Sequence, residues 1–336
     1  MYVSTQRLGG KWLVILALSA LAFGACGGED SSAADVTSTT AAPTTTAAPT
    51  TTTQDPTTTV GSPPFPAEVQ DSLGVVTISS RPERIVSLSA TTTEILFAIG
   101  AGPQVVAVDS YSYHPPAAPV TDLSAFAPNI EAISAFDPDL VIAFYDPGDL
   151  MSSLEALGTP AMTQWAAASL DEVWHQIEQL GLATGNSMQA ADLISSMRER
   201  IGEIVAGGPD VSFTYYYELD QNLYSVTSST FVGQLFALLG LENIADPADD
   251  QGFGYPQLSS EYIIEVDPDL IFLADTLCCG QNHETVASRP GWSVLSAVSN
   301  EAVIELDDDV ASRWGPRIVD LLEVAAAAVA ELAAKG

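Results

Sequence analysis

One stretch of this chain occurs twice. Residues 131–140 read Glu-Ala-Ile-Ser-Ala-Phe-Asp-Pro-Asp-Leu, and residues 261–270 read Glu-Tyr-Ile-Ile-Glu-Val-Asp-Pro-Asp-Leu. Each copy is a Glu, a short helical turn of mostly apolar residues, and then Asp-Pro-Asp-Leu. Each runs into an apolar strand, Val141-Ile142-Ala143-Phe144 in the first copy and Ile271-Phe272-Leu273-Ala274 in the second. Proline stops a helix and biases the residue before it to extended geometry, so each copy predicts helix–turn–strand. Their separation is domain-sized and far too long for a solenoid repeat. Two related α/β lobes follow, each presenting one Glu, Glu131 or Glu261, at an equivalent surface position.

The chain of 336 residues is long enough for two domains of ordinary size. Its first residues read as a secretory signal: Arg7 and Lys11, an apolar run from Leu13 to Phe23, and the small residues Gly24-Ala25 before Cys26. A run of that length is too short for a membrane-spanning helix, which needs roughly 20 residues. Gly-Ala-Cys at its end resembles the lipobox of bacterial lipoproteins, which makes Cys26 the expected lipidated N-terminus of the mature chain. Phe23 stands where that motif usually has Leu. Residues 37–59 hold thirteen Thr among Ala and Pro and nothing that could build a core. The expectation is a disordered tether over 26–66, reaching on the order of 35 Å and a candidate for O-glycosylation.

Removal of the signal leaves 8 Lys and Arg against 43 Asp and Glu. That balance argues against nucleic acid and anionic lipid as partners. From about Phe65 the composition turns globular. Arg84–Ser89 reads as a buried strand, Ala90–Thr93 as a turn, Glu94–Ile99 as a helix, and Val105–Val108 as the next strand. Beyond the first repeat come a helix near Leu150–Leu157 and a strand near Pro160–Trp165. Alternation at this spacing implies a parallel sheet covered on both faces. Residues 186–205 give the longest clean helical stripe, through Met188, Ala191, Ile194, Met197, Ile201, Ile204 and Val205. The second lobe opens with strands over Val211–Tyr217 and Leu223–Val226, and Thr227–Thr230 caps a helix from Phe231 to Leu239. After the second repeat come a loop at 275–291, a strand at 303–306, a turn at Asp307–Arg313, and a helix from Pro316 to about Ala334. The expected division is a first lobe over 67–185, a stiff connecting helix over 186–207, and a second lobe over 208–336.

Several motifs in order together resemble one family. They are Arg84-Ile85-Val86-Ser87-Leu88 with Thr93-Glu94-Ile95-Leu96, Tyr111-Ser112 with Pro115-Pro116, and Asn129-Ile130-Glu131 with Asp137-Pro138-Asp139-Leu140. The second half adds Tyr255-Pro256-Gln257-Leu258-Ser259-Ser260-Glu261 and Arg313-Trp314-Gly315-Pro316-Arg317. Over about 80–330 the chain is similar to the substrate-binding proteins of ABC importers for vitamin B12 and ferric siderophores, which have the class III periplasmic-binding fold. The resemblance implies two α/β lobes joined by one long helix, a shallow cleft between them, and limited closure. It implies that Glu131 and Glu261 dock onto Arg residues of a membrane permease. It places Tyr111, Phe126, Phe144, Tyr255, Asp309 and Arg313 where family members contact ligand. The expectation is a monomer, held at the outer face of the membrane through lipidated Cys26.

Ligands in parallel α/β lobes sit beyond the carboxyl ends of the strands, and those ends are rich in aromatic residues here. Tyr111, Tyr113, Phe144, Tyr145, Trp165 and the run Tyr215–Tyr217 are the candidates, with Tyr217 taken as the member of its run that reaches the cleft. Tyr and Trp offer the broad apolar contact and polar edges that a flat metal chelate needs. Each is equally suited to core or rim packing. Arg313 and Arg317 form a fork that suits a carboxylate, catecholate, hydroxamate or phosphate. The alternative is a salt bridge to Asp307–Asp309 or Glu305. Ser228, Ser229 and Thr230 offer hydroxyls and N–H groups to an oxygen-rich ligand, or simply cap their helix. Cys278-Cys279 leaves open a local vicinal disulfide, two free thiols, or a metal site with His283.

No enzymatic apparatus is visible. The three His residues lie in no HExxH, GxSxG or Cys–His context, and there is no GxGxxG or Walker loop. The expectation is therefore a non-enzymatic, lipid-anchored receptor without a resident cofactor or metal, which binds a ferric siderophore or corrinoid and passes it to an ABC permease. Tyr111-Ser112 with Pro115-Pro116, and Tyr255-Pro256-Gln257, resemble the B12 binders slightly more. The alternatives are haem, a bare metal ion, for which His114, His175 and His283 are dispersed in sequence and only folding could gather two of them, or a surface receptor that serves no transporter.

Overall fold

The computed structural model describes residues 65–335. The signal, Cys26 and nearly all of the tether lie outside the described residues. Ten short strands and twelve helices follow in order: β1 Ala67–Gln70, β2 Val75–Ile78, β3 Ile85–Leu88, α1 Ala90–Ala98, β4 Val105–Val108, α2 Ile130–Ser134, β5 Leu140–Ala143, α3 Leu150–Ala156, β6 Ala161–Thr163, α4 Leu170–Thr184 and α5 Ser187–Gly207. The second half contains β7 Thr214–Glu218, α6 Phe231–Ala237, β8 Glu242–Asn243, α7 Ser260–Val266, β9 Leu270–Leu273, α8 Thr276–Cys279, α9 His283–Ala287, α10 Ser296–Ser299, β10 Val303–Glu305, α11 Asp308–Ser312 and α12 Ile318–Lys335.

The repeat read in the sequence is a repeat of topology. The first sheet runs β4-β3-β5-β6 and the second, taken from its β8 edge, runs β8-β7-β9-β10, with every pairing parallel. The two orders are the same, and the strand after each Asp-Pro-Asp-Leu holds the same place in its sheet. The second Asp of each motif shows why the motif recurs. Asp139 accepts the N–H groups of Glu83 and Arg84, at 2.8 and 2.9 Å, at the entry to β3. Asp269 accepts the N–H and hydroxyl of Thr214, at 2.8 and 2.9 Å, at the start of β7. Each carboxylate thus pins the neighbouring strand in register. The first Asp departs from expectation: Asp137 and Asp267 have φ of 48° and 52° rather than extended backbone. Asp267 is the left-handed C-cap of α7, while Asp137 lies two residues beyond the C-cap of α2, Ala135, and Asp tolerates the left-handed region better than most residues.

Alternation within the strands builds the layers. Ile85, Leu140, Ile142, Tyr215, Tyr217, Leu270 and Phe272 face one cluster that also takes in α4, α5 and α12. Val86, Leu88, Val141 and Ala143 face a separate cluster under α2 and α3, and Tyr216, Ile271 and Leu273 face another around Trp292. The inner cluster is therefore continuous between the two sheets. Helix α5 lies in this layer against α4 and α12, burying Ala190, Ile194, Met197 and Ile201 at spacings of four and three. Met188 and Val205, at the ends of the expected stripe, are exposed. Where α4 meets α5, a Cβ on Gly181 would lie 2.5 Å from the Cβ of Ala190, so only glycine permits that approach.

Four elements differ from the sequence reading. Helix α1 starts at Ala90 rather than Glu94, because Ser89 caps it by accepting the N–H of Thr92. Glu94 is thereby carried into the interior. Residues 223–226 form no strand and make a single bridge, Tyr224 to Gln257. The loop at 275–291 contains α8 and α9, and 308–312 is helical because Asp307 accepts the N–H groups of Asp309 and Val310. Helix α4 and the β1–β2 hairpin have no counterpart in the sequence reading. The hairpin covers the open edge of β6, with Asp71 accepting the N–H of Thr163 at 2.8 Å.

Candidate functional site

The carboxyl ends of β4 and β5 project an aromatic group. Buried Asp109, just after β4, accepts the N–H of Tyr111 at 2.8 Å and the hydroxyl of Ser112 at 2.5 Å, which turns the Tyr111 ring outward. Phe144 and Tyr145 follow β5 directly. Tyr111 packs edge-on against Phe126 with centroids 5.7 Å apart, Phe126 edge-on against Phe144 at 5.5 Å, and Phe144 against Tyr145 at 4.3 Å. The Tyr145 hydroxyl donates to the carbonyl of Phe126 at 3.1 Å, fixing that loop. Tyr111 remains 57% exposed and Phe126 60%. Aromatic groups of this size left in solvent mark a surface built for contact.

From the second lobe, 253–257 lies along 224–227 through the N–H of Ser225 on Pro256 and that of Thr227 on Gly254. Gly254 sits at φ +83° with no room for a Cβ beside Thr230. The packed glycine leaves Tyr255 57% and Phe253 75% exposed. Tyr255 forms no ring pair with the first-lobe group.

The two lobes meet at an ionic latch. Glu94, buried on α1, accepts Nη1 of Arg313 at 2.8 Å, and Nε and Nη2 of Arg317 at 2.9 and 2.6 Å. Arg313 also donates from Nη2 to Asp309 at 2.6 Å and to the carbonyl of Tyr111 at 3.1 Å, and it lies over the Tyr113 ring at 5.2 Å. The Tyr113 hydroxyl donates to the other oxygen of Asp309, and that bond, with burial behind it, raises its pKa. Trp314 adds a bond to Gln176 at 2.9 Å, and Gln234 one to the carbonyl of Ala168 at 2.8 Å.

The expected site residues are thus brought together in part. Tyr111, Phe126 and Phe144 form one group, and Asp309 adjoins Tyr111 through Arg313. Two expectations need correction. Tyr217 is fully buried, with its hydroxyl on the carbonyl of Ala311, because its side of β7 faces the shared core; no member of Tyr215–Tyr217 is accessible. Arg313 is only 8% exposed, and its fork is committed to Asp309, as the alternative reading had it, and to Glu94, which that reading did not foresee. The Ser228–Thr230 trio is likewise occupied internally. Ser228 donates its N–H and hydroxyl to Asp246, Ser229 bonds Thr227, and Thr230 caps α6.

Glu131 and Glu261 occupy the first turns of α2 and α7, capped by Asn129 and Ser259. Both are exposed, and neither carboxylate has a partner among the described residues. Each helix returns straight into β5 or β9, so its first turn stands toward the carboxyl edge of its sheet, where the aromatic face lies.

At the carboxyl end of β7, Glu218 is fully buried and takes Nη1 and Nη2 of Arg289 at 2.6 Å each, while Arg289 lies 4.6 Å over the Trp292 ring. Nearby Asp275 is fully buried with both carboxylate oxygens unpartnered; burial, and secondarily the charge of Glu218, push its pKa up to about 7. Cys278 and Cys279 are joined in a vicinal disulfide within α8, whose first N–H groups donate to Asp308. Among the described residues no group of His, Cys, Asp and Glu is placed to hold a metal ion, and no helix is long and apolar enough to cross a membrane.

Comparison with known proteins agrees with this architecture. Residues 85–310 match the family described as periplasmic binding protein. The ABC transporter substrate-binding lipoprotein YvrC of Bacillus subtilis is 30% identical over 77% of this chain and 84% of its own length. The vitamin B12-binding protein of Vibrio cholerae is 30% identical over 72% of this chain and 87% of its own. The crystal structure of the periplasmic vitamin B12 binding protein BtuF of Vibrio cholerae superposes with a TM-score of 0.60 at 29% identity, covering 74% of this chain and 96% of that one. Two matched parallel sheets over a shared core, with exposed aromatic rings at the carboxyl edge of the first, suit such a receptor, and the chain belongs to the periplasmic binding protein family, a family of solute receptors rather than enzymes.

Proposed function

We propose that this protein is the extracytoplasmic receptor of an ABC importer, that it binds a metal chelate, a corrinoid or a ferric siderophore, and that it delivers the chelate to its permease. The observation that carries the reading is the pair of exposed rings Tyr111 and Phe126, backed by half-buried Phe144, at the carboxyl edge of the first sheet, beside the latch to the second lobe. Flat rings at an open face suit a ligand that is large, planar and partly apolar. Tyr255 and Asp309 complete the contact surface from the second lobe, while Arg313 holds Asp309 and the Tyr111 carbonyl in place. The relatives named for vitamin B12 make a corrinoid the first candidate. The protein works as a monomer, and lipid on Cys26 with the Thr-rich tether keeps it near the membrane. Its resident chemistry is binding alone; any metal arrives and leaves inside the ligand.

Glu131 and Glu261 are the docking contacts. Two exposed, unpaired carboxylates on matching helices set the orientation and rate of a reversible encounter with a basic permease face while adding little to affinity. The test is the double variant Glu131→Ala with Glu261→Ala, compared with wild type for chelate affinity and for uptake through the cognate permease in reconstituted vesicles. Affinity should be unchanged and uptake lost. Undiminished uptake, or loss of chelate binding, would remove the docking assignment.

A further inference from the structure

The charge of the ligand follows from where the cations are spent. Eight of the ten Lys and Arg residues are among the described residues, and five of these lie at the amino edge of the first sheet or on α5 and α12. Only Arg289, Arg313 and Arg317 stand on the carboxyl side, where the aromatic face lies. Arg289 is held in two bonds by buried Glu218. Arg313 is divided between Glu94 and Asp309, and Arg317 makes both of its bonds to Glu94. Each guanidinium is therefore neutralised by a carboxylate of the protein itself.

Helix N-termini are the other usual seat for an anion, and here the protein's own side chains cap them. Asp308 takes the first three N–H groups of α8, and Asp307 the N–H groups of Asp309 and Val310 in α11. Thr230 caps α6, and Asp246 takes the N–H and hydroxyl of Ser228 just before it. His114 lines a cavity of about 320 Å3 together with Phe97 and the Glu94–Arg317 pair, so the guanidinium there already faces its own carboxylate. What remains toward the ligand is aromatic surface, the part-exposed carboxylate of Asp309, and the field of a chain with formal charge −33. A negative ligand placed here finds the exposed Tyr111 and Tyr255 hydroxyls as neutral donors but, among the described residues, no free cation to offset the repulsion, which a low-dielectric aromatic surface strengthens.

We infer that this receptor selects an uncharged or cationic chelate and discriminates against anionic ones. The inference rests on the receptor reading above. It favours corrinoids with intact amide side chains and ferric hydroxamates bearing a free or capped amine. It disfavours ferric tris-catecholates, ferric citrate and haem with its two propionates.

The test holds the chelate core fixed and varies the charge. The full-length chain is titrated with ferrioxamine B, which carries one ammonium group, with its N-acetyl form, which is uncharged, and with its N-succinyl form, which is anionic. Cyanocobalamin and its monocarboxylic acid form the corrin pair. Within any core that binds, the uncharged or cationic form should bind at least tenfold more tightly than the anionic form, and the preference should shrink with added salt. Asp309→Asn, which removes the exposed carboxylate and releases part of Arg313, should narrow the gap several-fold. Equal or tighter binding of the anionic form would overturn the inference while leaving the receptor reading in place. Failure of both cores in every charge form would instead remove the receptor reading, and this inference with it.

Discussion

Replacing Glu94 tests whether the two lobes are held by the latch. Glu94 is 4% exposed, and its carboxylate accepts three guanidinium hydrogen bonds of 2.6–2.9 Å, from two arginines on the far side of the lobe boundary. Glu94→Ala leaves both positive charges facing each other across a cavity. Breaking a buried ion pair by deleting one partner costs about 3–5 kcal/mol, mostly as the penalty on the charge left behind. Arg313 keeps Asp309, and Arg317 has some exposure through which to reach water, so the low end of that range, about 3 kcal/mol, is expected. Glu94→Gln, which keeps one acceptor and the volume, should cost less, roughly 1.5–2.5 kcal/mol. Urea denaturation followed by tryptophan fluorescence measures both. A variant combining Glu94→Leu with Arg313→Met and Arg317→Met should recover most of the loss, since replacing a whole buried network by apolar side chains is often neutral. A loss below about 1 kcal/mol for Glu94→Ala would refute the latch.

Other expectations follow from buried groups away from the face. Asp275 has a folded pKa raised to about 7 from 3.8, so its contribution is fully present below pH 4 and is lost as pH rises toward and through 7. Asp275→Asn should therefore flatten that part of the stability–pH profile and stabilise the protein at pH 8 by up to a few kcal/mol, measured by urea midpoints at pH 4, 6 and 8. An unchanged profile would mean that water or local motion relieves the carboxylate. Asp269→Ala removes two hydrogen bonds to Thr214 at the start of β7 and should cost about 1.5–3 kcal/mol, with Asp139→Ala similar at β3. Gly181→Ala should cost about 1–3 kcal/mol in thermal denaturation, because its new methyl meets Ala190 at 2.5 Å.

Fold class was legible in the sequence because its signals are local and doubled. Asp-Pro-Asp-Leu before a buried strand fixes a helix–turn–strand unit wherever it occurs, and finding it twice implies paired lobes. The long stripe of α5 was equally plain, through Ile194, Met197 and Ile201. Helix α4 carried readable signals as well: Ser169 accepting the N–H of Glu172, then Val173, Trp174, Ile177 and Leu180, and Gly185 in a left-handed closing turn. These local signals are enough to define the helix from sequence.

The site was legible only in part, for a physical reason. Tyr111, Phe126 and Phe144 lie at strand ends or in adjoining turns, so their position follows from the strand pattern. Tyr217 was misread because strand alternation tells which residues share a face but not which face meets the other lobe. The partner of Arg313 could not be found by spacing, since Glu94 is more than 200 residues away. It comes into reach only because Ser89 starts α1 one turn earlier than the apolar pattern suggests. A scarce cation on an acidic protein is a good candidate for function; here the folded chain spends it on joining its own lobes.

The most direct test of the account is a calorimetric titration of the full-length chain with cyanocobalamin and ferrioxamine B, alongside Tyr111→Ala and Phe126→Ala. The account expects one-to-one saturation by one of these chelates at micromolar concentration or tighter, and a loss of at least tenfold in each variant. Truncating an exposed ring in a ligand face removes about 1.4 kcal/mol or more of contact. Absence of saturation by either chelate, or binding untouched by both variants, would contradict it.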